Sequence, residues 1–118
     1  MRKVIILFIC SLVFVACGDG GKATSVIGDF LKANLADSEY STKVLAMDST
    51  KNLSDSIITS MRNEAASDKF FKKNIQWGNH NGGKLVYVRL RILQLNDTLV
   101  RTFYLDPEMK SVVAFKLN

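Results

Sequence analysis

Residues 84–117 read KLVYVRLRILQLNDTLVRTFYLDPEMKSVVAFKL, and the fold turns on this stretch. From Leu85 to Leu95, and again from Thr98 to Leu105, apolar and polar side chains alternate with the period of a strand. β-Branched and aromatic residues are frequent in both runs. Asn96-Asp97 between them is a plausible tight turn, so the two runs predict an antiparallel hairpin. A two-residue loop pairs Leu95 with Thr98, and every other pair then sums to 193. In this register Val88, Leu90, Ile92, Leu99, Phe103 and Leu105 share one face, and Tyr87, Arg89, Arg91, Thr102 and Tyr104 share the other. The apolar residues sort together without adjustment, which supports the pairing, because a one-residue slip would send them to the wrong side. Asp106-Pro107-Glu108-Met109-Lys110 supplies the next turn. Ser111–Leu117 then predicts a last strand with Val113, Phe115 and Leu117 pointing inward. Pro107, the only proline, sits where it costs no ladder hydrogen bond.

Upstream, the pattern changes. Residues 78–83, GNHNGG, are a loop. Lys69 to Trp77 alternates Phe71, Ile75 and Trp77 against Lys72, Asn74 and Gln76, which favours a strand, while Phe70 and Phe71 could instead finish a helix. That helix is predicted over 53–66, with Leu53, Ile57, Met61 and Ala65 as a narrow apolar stripe. Glu39 to Met47 is strand-like. A first helix over 25–36 carries Val26, Ile27, Phe30, Leu31 and Leu35 at helical spacing, with Thr24 or Ser25 to cap it. Helices first and a meander afterwards predict an α+β domain over 24–118. Its N-terminal helices would pack on one face of a curved antiparallel sheet that ends in a C-terminal three-stranded meander.

The N-terminus has a different character. Arg2 and Lys3 precede the apolar run VIILFICSLVFVA at 4–16, and Cys17 with polar GDGGK follows at once. A basic start, a short apolar core and a small residue before the break are the parts of a secretory signal. The run is shorter than the roughly 20 residues that span a bilayer, so cleavage is expected rather than retention. Phe14, Val15 and Ala16 before Cys17 resemble the lipobox of bacterial lipoproteins. This resemblance implies that residues 1–16 are a signal peptide and that Cys17 carries the lipid. Two or three buried acyl chains would then hold the protein stably, at about 0.8 kcal/mol per CH₂. Residues 17–23 read as the lipidated cysteine and a short flexible tether.

Cleavage after Ala16 would leave 102 of the 118 residues and remove Arg2 and Lys3, lowering the formal charge from +5 to +3. Cys10 would leave with the signal, so the body would hold no free thiol and no internal disulfide. The remaining charge is mild, without a long basic run, and does not point to nucleic acid. The order of elements resembles cystatin-like and NTF2-like folds. It resembles more closely a group of small bacterial envelope lipoproteins, in which a lipobox leads into a helix like VIGDFLKANLADSEY and the chain closes with strands like RTFYLDPEMKSVVAF. That likeness carries no catalytic signature, and fold analogy does not transfer function.

The candidate chemistry is sparse. His80, the only histidine, lies in the Gly/Asn loop and reads as a solvated residue; with no body cysteine it cannot make a typical zinc site. Asp37 with Glu39, and Asp106 with Glu108, sit near turns and read as turn chemistry rather than as an acid–base pair. No metal, cofactor or catalytic residue is therefore expected. Lys69, Lys72 and Lys73 could touch anionic lipid, and Trp77 with Phe70 and Phe71 could line a pocket, though core packing explains aromatics at this spacing as well. The most suggestive set is Tyr87, Arg89, Arg91 and Tyr104, which share the non-core face of the hairpin. Guanidinium groups beside aromatic rings grip carboxylates and phosphates; a solvated sheet face, whose charge discourages aggregation, is the commoner reason for such a set. The expectation is a non-enzymatic, lipid-anchored envelope protein, periplasm-facing or surface-exposed, that binds an unidentified protein or small ligand. An enzyme on an NTF2-like scaffold and an inhibitor or accessory subunit of an envelope complex are the alternatives. A deep apolar pocket with a buried carboxylate would favour the enzyme, and a flat Arg/Tyr-rich uncovered sheet the binding module.

Overall fold

A computed structural model describes residues 19–51, 53–80 and 84–117. The expected signal peptide, the expected lipidation site Cys17 and the tip of the 78–83 loop lie outside the described residues. Six elements follow one another: α1 (Asp19–Asn34), β1 (Tyr40–Ser49), α2 (Asp55–Ala66), β2 (Val86–Gln94), β3 (Thr98–Leu105) and β4 (Val112–Leu117). The strands form one antiparallel sheet in the order β1-β2-β3-β4. The α+β class and the C-terminal meander are as expected. The sheet, however, is not strongly curled, and the early strand joins the meander as its fourth member, paired with β2.

The first helix starts six residues ahead of the expected position, and takes in residues 19–23 that were assigned to the tether. Glycines 20 and 21 disfavour a helix by about 1 kcal/mol each relative to alanine. Ala23 lies one turn ahead of Ile27 and is fully buried, so it extends the stripe Ile27, Phe30, Leu31 that packs on the core face. The helix ends at Asn34, whose side-chain amide donates to the Phe30 carbonyl at 2.9 Å. In α2 the buried stripe is Ile58, Met61 and Ala65, and Ile57, expected inside, is exposed. Ser54 caps this helix by accepting the Ile57 N–H at 3.3 Å.

The segment 69–77 is not a strand. It touches the end of α1 through a single bridge, Leu35 to Phe71, and Asn74 then adopts φ +63°. A left-handed residue cannot continue an extended ladder. The hairpin pairs residues that sum to 191 rather than 193, Leu93 with Thr98 for example. The turn is longer by two residues than Asn96-Asp97 alone, and Gln94 N–H donates to the Asp97 carbonyl. A slip of two preserves the faces, because side chains alternate with period two, so the core assignment survives the wrong register.

In β4 the expected alternation fails. A register shift opposite Tyr104 and Leu105 places Val112 and Phe115 in the main core, while Val113 and Ala114 join a second cluster with Ile58, Met61 and Leu85. All four are buried, whereas Leu117, expected inside, is exposed. The cause is α2, which lies beside β4 rather than on the same sheet face as α1, and so buries both sides of the strand. Arg62 of α2 donates through Nε to the Val113 carbonyl at 2.9 Å and through Nη2 to the Gly78 carbonyl at 2.8 Å. Gly78 N–H in turn donates to the Val112 carbonyl at 2.8 Å. Only glycine fits there, because a Cβ would fall 2.6 Å from the Ser111 Cβ.

Candidate functional site on the open sheet face

The face of the sheet away from α1 is laid out in rows by strand pairing. Asp48, Tyr87, Tyr104 and Ala114 make one row, and Ala46, Arg89, Thr102 and Lys116 the next. Lys43, Arg91 and Val100 make the third. The four residues singled out from the sequence therefore come together on one side of the sheet, with neighbouring Cβ atoms about 5 Å apart along a row. Arg89 is exposed, and Tyr87, Arg91 and Tyr104 are half-buried. A concavity of about 350 Å³ lies over Tyr87, Arg89, Tyr104 and Lys116, walled by Thr50 and Leu53 from the segment before α2.

Two residues of this face escaped the sequence reading. Lys116 was assigned only to the closing strand, and Lys43 to an early strand with no known neighbour. Both positions depend on pairings between distant segments, so no local signal in the sequence could supply them. With them the face carries Lys43, Arg89, Arg91 and Lys116 against Asp48. Among the described residues, neither Arg89, Arg91 nor Lys116 has a hydrogen-bond or ion-pair partner. The other two described arginines are used by the fold: Arg62 holds the β4 edge, and Arg101 pairs with Asp68 at 2.8 Å. Burial, and secondarily the neighbouring Tyr87, raises the Tyr104 hydroxyl above its ordinary value of 10.0. It stays protonated at neutral pH and able to donate. Chemically, the face offers guanidinium forks, an ammonium and phenolic donors, a set suited to carboxylate, phosphate or sulfate oxygens.

The other candidates resolve into structure. His80 is not solvated: its side chain is 5% exposed, and Nδ1 lies 2.9 Å from Asp55 Oδ1, tying its loop to the first turn of α2. Asp37 Oδ1 accepts the Glu39 N–H, while Asp106 accepts the Lys110 N–H and the Ser111 hydroxyl, which is the expected turn chemistry. Phe71 is buried against Phe115, with ring centroids 4.5 Å apart. Trp77 packs on Phe30 and Phe115 and has the Arg62 guanidinium 5.8 Å from its ring centre. Asp68, the carboxylate buried among the described residues, faces Arg101 rather than a cavity.

No helix among the described residues is long and apolar enough to cross a membrane. No protein family matches the chain, and no curated protein or solved structure shows significant similarity to it.

Proposed function

We propose that this protein is a non-enzymatic binding module of the bacterial envelope, anchored through acylated Cys17, that takes an anionic group of a partner on its open sheet face. One observation carries the reading. The two described arginines that the fold does not use, Arg89 and Arg91, stand two residues apart on the face away from α1, on the part that α2 leaves open, with Tyr87, Lys116 and the half-buried Tyr104. Unpaired guanidiniums next to phenolic donors favour bidentate contacts with carboxylate or phosphate oxygens. Because α1 begins at Asp19, only Gly18 would separate the lipidated residue from the folded body. The domain would sit against its membrane rather than at the end of a tether.

The test uses defined anions. Hexaglutamate and inorganic phosphate are titrated into the protein while amide shifts in β2 and β3 are followed by NMR. Binding is expected to move the signals of Tyr87, Arg89 and Arg91 and to weaken with salt, since exposed charges are screened beyond ~10 Å at 0.1 M. Arg89→Glu with Arg91→Glu should abolish the shifts while changing the melting temperature little, because neither side chain supports the core. Equal binding by the double variant would remove this face from consideration.

A further inference from the structure

The two edges of the sheet are treated differently. At β4 the Val112 and Val113 carbonyls are occupied by Gly78 and Arg62, and α2 runs alongside. At the other end β1 has no strand beyond it among the described residues, and all its side chains but the half-buried Tyr40 and Met47 are exposed, with Val44 at 41% and Leu45 at 38%. A ten-residue edge carrying apolar side chains is a template for another strand. We propose that its occupant is a second copy of this chain, paired antiparallel β1 to β1 about a two-fold axis between Leu45 and Ala46, so that the two sheets continue as one.

Charge complementarity picks out this register. Across that axis residue numbers sum to 91, so Lys43 of each copy meets Asp48 of the other. Val44 meets Met47, Thr42 meets Ser49, and Leu45 meets Ala46. The faces must agree as well. In a regular strand odd and even residues point to opposite sides, and an odd sum would set each residue against one facing the wrong way. The register shift between Val44 and Ala46 removes that conflict. Lys43 and Asp48 pair with Arg91 and Tyr87, which share the open face, while Val44 and Met47 pair with Leu90 and Val88, which share the core face. A bulge on an edge strand often discourages pairing. Here the axis passes through the bulge, and the bulge is what makes self-pairing consistent on both sides.

A second observation supports the same partner. Within one chain Lys43 stands directly across from Arg91, a like-charge pair of the kind that destabilises a sheet. Asp48 of the second copy would lie on the free side of Lys43 and offset that repulsion, twice per dimer. The symmetry makes the interface isologous and closed. It does not depend on the proposed anion site, though it would bring the basic faces of both copies onto one continuous sheet.

Sedimentation velocity on the full chain in nonionic detergent tests the pairing, comparing wild type with Lys43→Asp, Asp48→Lys and the double swap. Wild type should show a concentration-dependent dimer. Each single reversal should raise the dissociation constant at least about tenfold, because two attractive contacts become repulsive. The double swap restores opposite charges across the axis and should return to within about threefold of wild type. Residues 1–18 are common to all four chains, so association through them would be the same in each. Circular dichroism melts check that each variant is folded at the temperature used. A monomeric wild type, single reversals that dimerise as well as wild type, or a double swap no better than the singles would each overturn the proposal.

Discussion

Phe103 and Tyr104 are adjacent in sequence and opposite in circumstance. Phe103 is fully buried, edge-on to Phe30 at 5.9 Å and against Phe115 at 5.5 Å. Tyr104 stands on the other face beside Tyr87, half-buried against the α2 cluster. Phe103→Ala is expected to cost about 3–5 kcal/mol, enough to threaten a domain of this size. Tyr104→Ala should cost markedly less, and urea unfolding of the two variants gives the comparison directly. This division was legible because alternation in a strand reports burial residue by residue. Arg101 shows the limit. It occupies a core-face position between Leu99 and Phe103 and was passed over, although a lone charge in an apolar row is itself a sign of a buried partner. The partner, Asp68, lies 33 positions away in a turn, and nothing local names it. His80 was misread for a similar reason: a Gly/Asn loop looks solvated until Asp55 is folded against it.

At the scale of elements, pairs of distant segments are clamped by individual polar side chains. Asp68 accepts Arg101 Nε at 2.8 Å and the Phe70 N–H at 3.1 Å, so one carboxylate shapes the turn after α2 and fastens it to β3. Arg101→Met leaves that carboxylate buried without its counter-charge and is expected to cost about 3–5 kcal/mol. Adding Asp68→Asn should recover part of the loss, because the amide needs no counter-ion and can still accept the turn N–H. A double-mutant cycle read by chemical denaturation measures the coupling; additive losses would mean that the two side chains act independently. Element types were easier to anticipate than their limits. The hairpin was found because two long alternating runs flank a turn, but the turn residues alone did not settle a loop two residues longer. Residues 69–77 alternate like a strand yet have no continuous ladder to join, and the left-handed Asn74 ends the resemblance. In β4 the sequence shows an unbroken apolar run, and only the position of α2 explains why both of its sides are dry.

For the whole molecule, the proposed attachment rests on one residue, Cys17, and the proposed recognition on a separate region, the sheet face of β2 and β3. Cys17→Ser should release the protein from envelope membranes or leave it unprocessed, with the folded body unchanged. Membrane fractionation together with intact-mass analysis checks this, and an unmodified mature chain in the wild type would remove the lipid anchor. The contrast between the two sheet edges has a further meaning for how the molecule behaves in a crowd. A sheet with two live edges has a valence of two, and copies of it can add end on end into a fibre without limit. Here Arg62 and Gly78 occupy the start of one edge, so the chain brings a valence close to one. The proposed union through β1 would consume the open edge strand among the described residues, and growth would stop at the pair. The small clamp on β4 thus works as a chain terminator, guarding the molecule against runaway end-on-end polymerisation.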